Sequence, residues 1–228
     1  TLYVQKMLNQ VVNAGLVEDN AAGTKTYAAM QAFTGKLKSV LAVHNMKYIP
    51  NSIFGIRMSD ALTDKFTDWM FTIDKNGDIV AIPCSTKPAT AAEKDNANQV
   101  VNGKHGVLIL QEQQVENGWQ MRKDTWTGGL TYFMQVKPAK IFRDNVVNGK
   151  IDRMVGYDLG LFGCNLHSWL NWVQNILWYK SGNRNICLSE GCNVCAANDW
   201  AMLINKLSET CKVGDYITYT LLNCSAFV

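Results

Sequence analysis

Apolar residues in the first 38 positions recur at intervals of three and four, as Leu8 and Val11 do. This spacing predicts two short amphipathic helices, separated by a turn around residues 18–23. Thr24 or Thr26 is expected to cap the start of the second helix, because a threonine hydroxyl can accept a hydrogen bond from a free helical N–H group.

The pattern changes to short strands from Asn51 to about Asp158. These runs are rich in β-branched and aromatic residues and are separated by turn signals, several of which are Asn-Gly pairs that favour tight hairpins. The predicted strands are 69–73, 78–82, 107–110, 130–136 and 140–142, and the Asn-Gly pairs begin at Asn76, Asn102, Asn117 and Asn148. Such a series predicts an antiparallel sheet that curls into a sandwich or small barrel.

The last third of the chain mixes both patterns. A glycine-rich approach at residues 156–163 precedes a tryptophan-rich helical stretch at 169–179, a helix at 198–209 with Asn198 or Asp199 as its N-cap, and a strand at 216–222. The whole chain is therefore expected to have an α+β fold, with a mainly antiparallel β sandwich or barrel. We divide it into a helical segment at 1–40 and a main domain at 51–228.

Composition limits the function classes. The chain has 228 residues, 47% of them hydrophobic and 18% charged, which is typical of a packed globular protein. Its formal net charge of +3 is too small for an electrostatic nucleic-acid footprint. The sequence also lacks an apolar window of about 18 residues, so we expect no membrane span.

One cysteine stands in a context that favours chemistry. Cys192 follows Gly191, whose backbone freedom allows a sharp turn that presents the thiol. A cysteine nucleophile needs a nearby base, since the thiolate is the reactive form. Of the three histidines, His167 lies in an alternating segment in which Asn165 faces the same way. We therefore predict that Cys192 and His167 meet.

The same cysteines allow two other interpretations. Cys192-x-x-Cys195 could be a thioredoxin-like redox pair, although the surroundings lack the expected βαβ pattern. A zinc site could use Cys187, Cys192 and Cys195, but a second Cys-x-x-Cys knuckle is missing. We expect neither a metal nor a cofactor. The tryptophan-rich stretch is interpreted as core packing or, alternatively, as a lid that shelters the site from water.

The residues that surround this pair resemble a known family. Gly163-x-Asn165-x-His167, followed by Ser189-x-Gly191-Cys192, is similar to the signature of the L,D-transpeptidase catalytic domain, and in particular to a branch encoded by phages. The resemblance extends over much of residues 53–207. It implies a mainly β domain in which Cys192 attacks a stem-peptide carbonyl of peptidoglycan and His167 acts as base and then as acid. Ser189 would orient the catalytic turn, and Gly191 would contribute an oxyanion N–H group.

Two positions depart from the family pattern. Ser168 replaces a glycine that usually follows the histidine, and Asn193 and Val194 stand where an arginine is common. Arg57, Arg143 or Arg184 could replace that arginine. We expect Asn165, Trp169 and Arg184 to bind substrate.

The first helical segment has a second resemblance. Five of its residues fall where a peptidoglycan-binding repeat would place them, namely Asp19, Gly23, Thr26, Ala29 and Phe33. The segment is thus interpreted either as a wall-binding module or as a two-helix cap on the main domain.

Together these resemblances predict a phage-encoded hydrolase that cuts peptidoglycan stem peptides through a thioester. It would act at the bacterial cell wall from the host cytoplasm or from the virion, with peptidoglycan as its partner. A transpeptidase that exchanges or cross-links the same peptides is one alternative. A non-catalytic virion or wall-binding protein on the same scaffold is the other.

Overall fold

The computed structural model describes residues 1–90, 100–101, 104–123, 129–153, 156–168 and 191–228 of the chain. The helices of these ranges are α1 (Leu2–Val12), α2 (Thr24–Val43) and α3 (Ala197–Leu207), with a short 3-10 helix at Cys224–Phe227. The strands are β1 (Ile53–Arg57), β2 (Asp68–Ile73), β3 (Ile79–Ser85), β4 (Val100–Val101), β5 (Lys104–His105), β6 (Val107–Leu110), β7 (Gln113–Lys123), β8 (Thr131–Gln135), β9 (Ala139–Asp144), β10 (Asp158–Gly160), β11 (Leu166–Ser168), β12 (Asn193–Cys195) and β13 (Tyr216–Asn223).

Eight of these strands form a closed barrel in the order β1-β13-β7-β8-β11-β12-β3-β2. The expected α+β fold with a curled, mainly antiparallel sheet is thereby confirmed. The barrel is not uniformly antiparallel, however, because β1 pairs with β13 and β11 pairs with β12 in parallel. Alternation along a strand predicts which face is buried, but it does not predict the direction of the neighbouring strand.

The interior of the barrel is filled by large side chains. Trp119 and Tyr219 meet edge to face at 5.3 Å between ring centroids, and α3 adds Trp200 and Leu203 at Phe133. Helix α3 begins after Ala196, which has no side-chain group to cap it, so the expected cap at Asn198 or Asp199 is wrong.

Helices α1 and α2 pack on the outside of the barrel. Their apolar faces share one core with the outward residues of β1, β2 and β3, and the buried members include Met7, Leu8, Phe33, Phe54 and Phe71. The shared core supports the interpretation of this segment as a cap. Whether the segment also binds the wall stays a prediction.

The start of α2 differs from the sequence-based expectation. Gly23 is its N-cap, and Thr24 is already helical. Thr26 is buried below α1, where its hydroxyl lies 3.5 Å from Nε2 of Gln5. Both predicted threonine caps are therefore wrong.

The described Asn-Gly pairs do not all form hairpins, and Asn102-Gly103 lies outside the described residues. Asn148-Gly149 forms a bend. Asn76-Gly77 forms the turn between β2 and β3, as predicted, and Asp74 accepts hydrogen bonds from the backbone N–H groups of Asn76 and Asp78. Asn117-Gly118 lies inside β7, where the register with β13 shifts. Asn117 has φ +51°, and a β-bulge accommodates a positive φ as a hairpin turn does. An Asn-Gly pair therefore does not by itself predict a hairpin.

A second sheet flanks the barrel in the order β10-β9-β6. Its outer face is covered at Ile109 and Phe142 by Leu62 and Ile151. The cover stops before β10, whose outward residue Leu159 is exposed. Among the described helices, none is both long and apolar enough to cross a bilayer.

Candidate functional site

His167 lies on β11, and Cys192 directly precedes the neighbouring strand β12. His167 is opposite Val194 in the parallel pair β11–β12, and Asn193 N–H donates to the Asn165 carbonyl at 2.9 Å. Cys192 lies two residues before Val194, and if the alternation of β12 extends back by one residue, its side chain is on the same side of the sheet as His167. A strand spacing of about 4.8 Å and a rise of about 3.3 Å per residue place the two Cα atoms roughly 8 Å apart.

Cys192 is presented by a turn that only glycine can complete. Gly191 has φ +144°, and a Cβ on it would lie 3.1 Å from both the Cβ and the carbonyl oxygen of Leu108. The turn is therefore seated tightly against β6. Cys192 itself is partly exposed, and its thiol donates to the carbonyl of Gly163 at 3.3 Å.

His167 is buried, and a backbone group holds its ring. Nδ1 lies 2.8 Å from the carbonyl oxygen of Ser168. A carbonyl only accepts hydrogen bonds, so Nδ1 carries the proton and Nε2 is left as the basic atom. Burial lowers the pKa of His167, and the Ser168 carbonyl opposes this effect only in part. The imidazole is accordingly neutral at pH 7.

Gln135 fixes the approach segment that precedes β11. Its amide donates to the Gly160 carbonyl at 3.0 Å, and its carbonyl oxygen accepts from the N–H groups of Phe162 and Cys164 at 3.1 Å each. Trp119 Nε1 adds a bond to the Cys164 carbonyl at 2.8 Å. These contacts hold the carbonyl of Gly163, the acceptor of the Cys192 thiol, in place.

Sequence reasoning missed Gln135. It is one polar residue at the end of a predicted strand, and its role depends on partners about 30 residues away. Asn165, predicted to bind substrate, also contacts this region, since its Oδ1 accepts from the Gln135 backbone N–H at 2.9 Å. The Oδ1 atom of Asn165 therefore supports the pairing of β8 with β11.

The neighbouring cysteines differ from Cys192 in burial. Cys164 belongs to the barrel core, and burial raises its pKa far above the usual range, with a smaller contribution from Cys192 when that thiol is ionised. Cys195 is fully buried opposite Cys84 on β3. Burial screens these thiols from substrate, which leaves Cys192 as the accessible sulfur of this group.

The other side of Cys192's strand is polar and buried. Asn193 faces the barrel interior beside Leu166, and neither polar atom of its side chain has a hydrogen-bond partner within the described part of the chain. The nearby end of β3 is held by buried charges, where Lys87 Nζ donates to the Ser59 carbonyl at 2.7 Å and lies 3.3 Å from Asp68.

Several predicted residues are not brought to the site or lie outside the described residues. Ser189, Trp169, Arg184 and the zinc candidate Cys187 belong to the latter group, as does the tryptophan-rich stretch. Arg57 is fully buried and binds Thr86 and Glu112. Arg143 lies nearer to the site, because it is opposite Leu108, against which Gly191 packs, and its guanidinium is 5.6 Å from the centre of the Phe162 ring. It also pairs with Asp158 at 2.8 Å. Within the described ranges, no three His, Cys, Asp or Glu side chains are grouped as metal ligands.

The chain was compared with protein-family models, with curated proteins and with solved structures. None of the three comparisons gave a match.

Proposed function

We propose that this protein is a cysteine-dependent enzyme that cleaves peptide bonds through a thioester, with Cys192 as nucleophile and His167 as general base. The observation that supports the proposal is that Cys192 directly precedes the strand that pairs in parallel with the strand of His167, and that its thiol bonds to the Gly163 carbonyl on the segment leading to His167. Their setting adds to it, because the thiol is accessible while the imidazole is buried, neutral and fixed through Nδ1.

We propose that the pair rests uncharged. The Cys192 sulfur lies 3.3 Å from the Gly163 carbonyl, to which a protonated thiol can donate. Burial favours the neutral form of His167. On this proposal the proton is transferred during attack on the substrate, and not beforehand as in a preformed thiolate–imidazolium pair.

The reaction then follows from these roles. The thiol proton moves to Nε2 of His167 as the Cys192 sulfur bonds to the substrate carbonyl carbon. The resulting oxyanion collapses, the C–N bond breaks, and the leaving amine takes the proton from His167. Water next attacks the thioester while His167 removes its proton, and the acid product and free thiol are released.

The substrate assignment comes from the sequence motifs. Gly163-x-Asn165-x-His167 with Gly191-Cys192 resembles the L,D-transpeptidase signature, which supports stem peptides of peptidoglycan as the substrate. Hydrolysis is preferred over transfer because a phage gains more by cutting the wall than by cross-linking it. The same setting supports action at the bacterial cell wall.

A digestion of purified peptidoglycan tests the proposal. The wild-type chain is expected to release stem-peptide fragments that mass spectrometry identifies, while Cys192→Ala and His167→Gln lose at least a hundredfold in rate. Cys224→Ala is the matched control, since Cys224 is another partly exposed thiol, in the C-terminal 3-10 helix. Undiminished release by Cys192→Ala would overturn the proposal.

The masses of the products separate the two reaction types. Hydrolysis adds one water to the cut peptide, whereas a transferase exchanges its terminal residue for an added D-amino acid. Alkylation with iodoacetamide tests the non-catalytic alternative. If Cys192 reacts no faster than Cys224, and His167→Gln leaves its rate unchanged, the scaffold-only function is favoured.

A further inference from the structure

The segment that leads to His167 contains a strand edge that pairs with no other described strand. Strand β10 pairs with β9 on one side and is the outermost strand of its sheet within the described residues. Tyr157, Leu159 and Leu161 are exposed by 53%, 62% and 60%, at alternate positions along this strand and its continuation. We refer to residues 157–161 as the β10 edge.

The hydrogen-bond pattern shows which way the backbone of this edge points. Lys140 of β9 directs its own groups toward β6, because its carbonyl accepts from Gln111 N–H at 3.0 Å and its N–H donates to Gln113 at 2.9 Å. Leu159 is directly opposite Lys140. In an antiparallel ladder such a pair exchanges no hydrogen bonds, so the N–H and C=O groups of Leu159 point to the open side.

The β10 edge leads along the chain to Gly163, the residue that contacts the candidate nucleophile. Two residues after Leu161 comes Gly163, whose carbonyl accepts from the Cys192 thiol at 3.3 Å. Gln135 holds the intervening segment by its bonds to Gly160, Phe162 and Cys164. Leu159 and Gly163 are four residues apart, a span of about 13 Å if extended, which is the length of a peptide of about four residues.

Charge near the edge favours a peptide that carries a carboxylate. Lys140 lies on the same outer face as Leu159, and its Nζ is 4.6 Å from the centre of the Tyr157 ring. On the inner face, Arg143 neutralises Asp158 at 2.8 Å, so that carboxylate does not repel an incoming anion.

We propose that the β10 edge binds the substrate as an added strand: an extended peptide of about four residues, with a carboxylate near Lys140, pairs with the backbone of Leu159 and places its scissile bond at Cys192. Pairing by backbone groups supplies affinity, and the exposed apolar side chains supply contacts for the peptide. This inference rests on the proposed function, since it names how the substrate of that site is held.

Binding is measured in a Cys192→Ala background, so that the result does not depend on turnover. The probe is a fluorescein-labelled tetrapeptide, L-alanyl-D-glutamyl-meso-diaminopimelyl-D-alanine, followed by fluorescence anisotropy. Leu159→Pro removes the outward N–H without breaking a bond to β9, and edge strands tolerate proline. Leu161→Asp replaces an apolar contact with a charge that repels the peptide carboxylate.

Both variants are expected to bind the probe at least tenfold more weakly than the parent. Val213→Asp is the matched control, because Val213 is 59% exposed and outside the β10 edge, and it should bind as the parent does. A probe with an N-methylated backbone amide should also bind at least tenfold more weakly. Thermal unfolding checks that each variant is folded, and if Leu159→Pro is unfolded, the affinity of Leu161→Asp decides between the outcomes.

Equal affinity in Leu161→Asp and the parent would overturn the inference, as would failure of the parent to bind millimolar peptide. Neither result bears on the nucleophile, which is judged by wall digestion with and without Cys192. The opposite outcome is also distinguishable. If the probe binds through the β10 edge but Cys192→Ala digests the wall as well as the wild-type chain does, the proposed function is wrong and the binding surface is retained.

Discussion

At the scale of single residues, the position of the Cys192 sulfur depends on a neighbour that has no side chain. Gly191 combines φ +144° with close packing against Leu108, so neither the backbone angle nor the available space suits another residue. Through Gly191, the position of β6 therefore helps to determine where the Cys192 sulfur lies.

Gly191→Ala is expected to lower the rate of peptidoglycan digestion at least tenfold, because the added methyl group displaces the turn that carries Cys192. Gly77→Ala is the matched control, since Gly77 also has a positive φ, +91°, but has no atom within 4 Å of the added Cβ. Both should lose about 1 kcal/mol or more of stability from backbone strain, whereas only Gly191→Ala should lose activity. Equal activities would show that the turn tolerates displacement.

The pH dependence of the reaction should follow the protonation of His167. Burial lowers the pKa of this imidazole, so the basic form persists below the ordinary histidine pKa of about 6.5. The acid limb of a kcat/KM profile is expected to fall off below pH 6.5, and the limb should disappear in His167→Gln. A limb centred above pH 7 would contradict the neutral resting pair.

Folding stability should respond to the same group. Because the folded pKa lies below the unfolded value, the unfolded chain binds the proton more readily, and the contribution of His167 is lost as the pH falls through about 6.5 toward the folded pKa.

At this scale the sequence identified the candidate nucleophile and base, but not the residues that hold them. Cys192 and His167 could be selected from the sequence because both residue types can carry out nucleophilic and acid–base chemistry. Their local contexts, a preceding glycine and an alternating strand, are also recognisable in the sequence. Gln135 and Asn165 make their contacts across some 30 residues of chain. Such contacts follow from strand pairing, which one sequence does not specify.

At the scale of elements, the site depends on the parallel pairing of β11 and β12. The six predicted strand ranges correspond to six of the thirteen described strands, and 107–110 agrees with β6 in both bounds. The longest strand, β7, was not predicted. The strand partners were not predictable, because the two-residue period of side chains indicates which face a residue occupies but not which strand lies alongside.

Gln135→Leu tests how far the approach segment depends on one side chain. The change leaves the Gly160 carbonyl and the N–H groups of Phe162 and Cys164 without their partner. Buried groups left unpaired cost about 1–3 kcal/mol each, so a loss of roughly 3 kcal/mol or more is expected in urea unfolding.

Gln120→Leu is the control for that variant. Its amide donates to the carbonyl of Gly214 at 2.8 Å and its Oε1 accepts from Nε of Arg122 at 2.8 Å. Both bonds are exposed to water, so its replacement should cost less than about 1 kcal/mol. Comparable losses for the two glutamines would mean that the approach segment is held by other contacts.

At the scale of the whole molecule, a network of ion pairs connects the barrel to its flanking loops. The Glu112 carboxylate forms ion pairs with Arg57 of β1 at 2.9 Å and with Arg153 at 2.8 Å. Arg153 also forms an ion pair with Asp60. Burial alone would raise the pKa of Glu112, but the hydrogen bonds from Arg153 and the charge of Arg57 outweigh it and lower the pKa to about 2.

This network predicts a distinct response to acid. Because the folded pKa of Glu112 is below its unfolded value, its stabilisation is complete above about pH 4.5 and is lost as the pH falls toward 2. Glu112→Gln should be less stable than wild type by roughly 2 kcal/mol at pH 7, and the difference should shrink toward pH 2. Glu116→Gln, at an exposed pair with Lys47, should show little change at either pH.

Closure of the barrel has a consequence for biosynthesis. The strand that joins β1 to β7 is β13, and a ribosome makes it after β1 to β12. Until Tyr216–Asn223 has left the exit tunnel, two strand edges are without their neighbour and the core lacks Tyr219 and Leu221. The barrel therefore cannot close before this strand has emerged, and a chaperone that shields open β edges should raise the yield of folded protein.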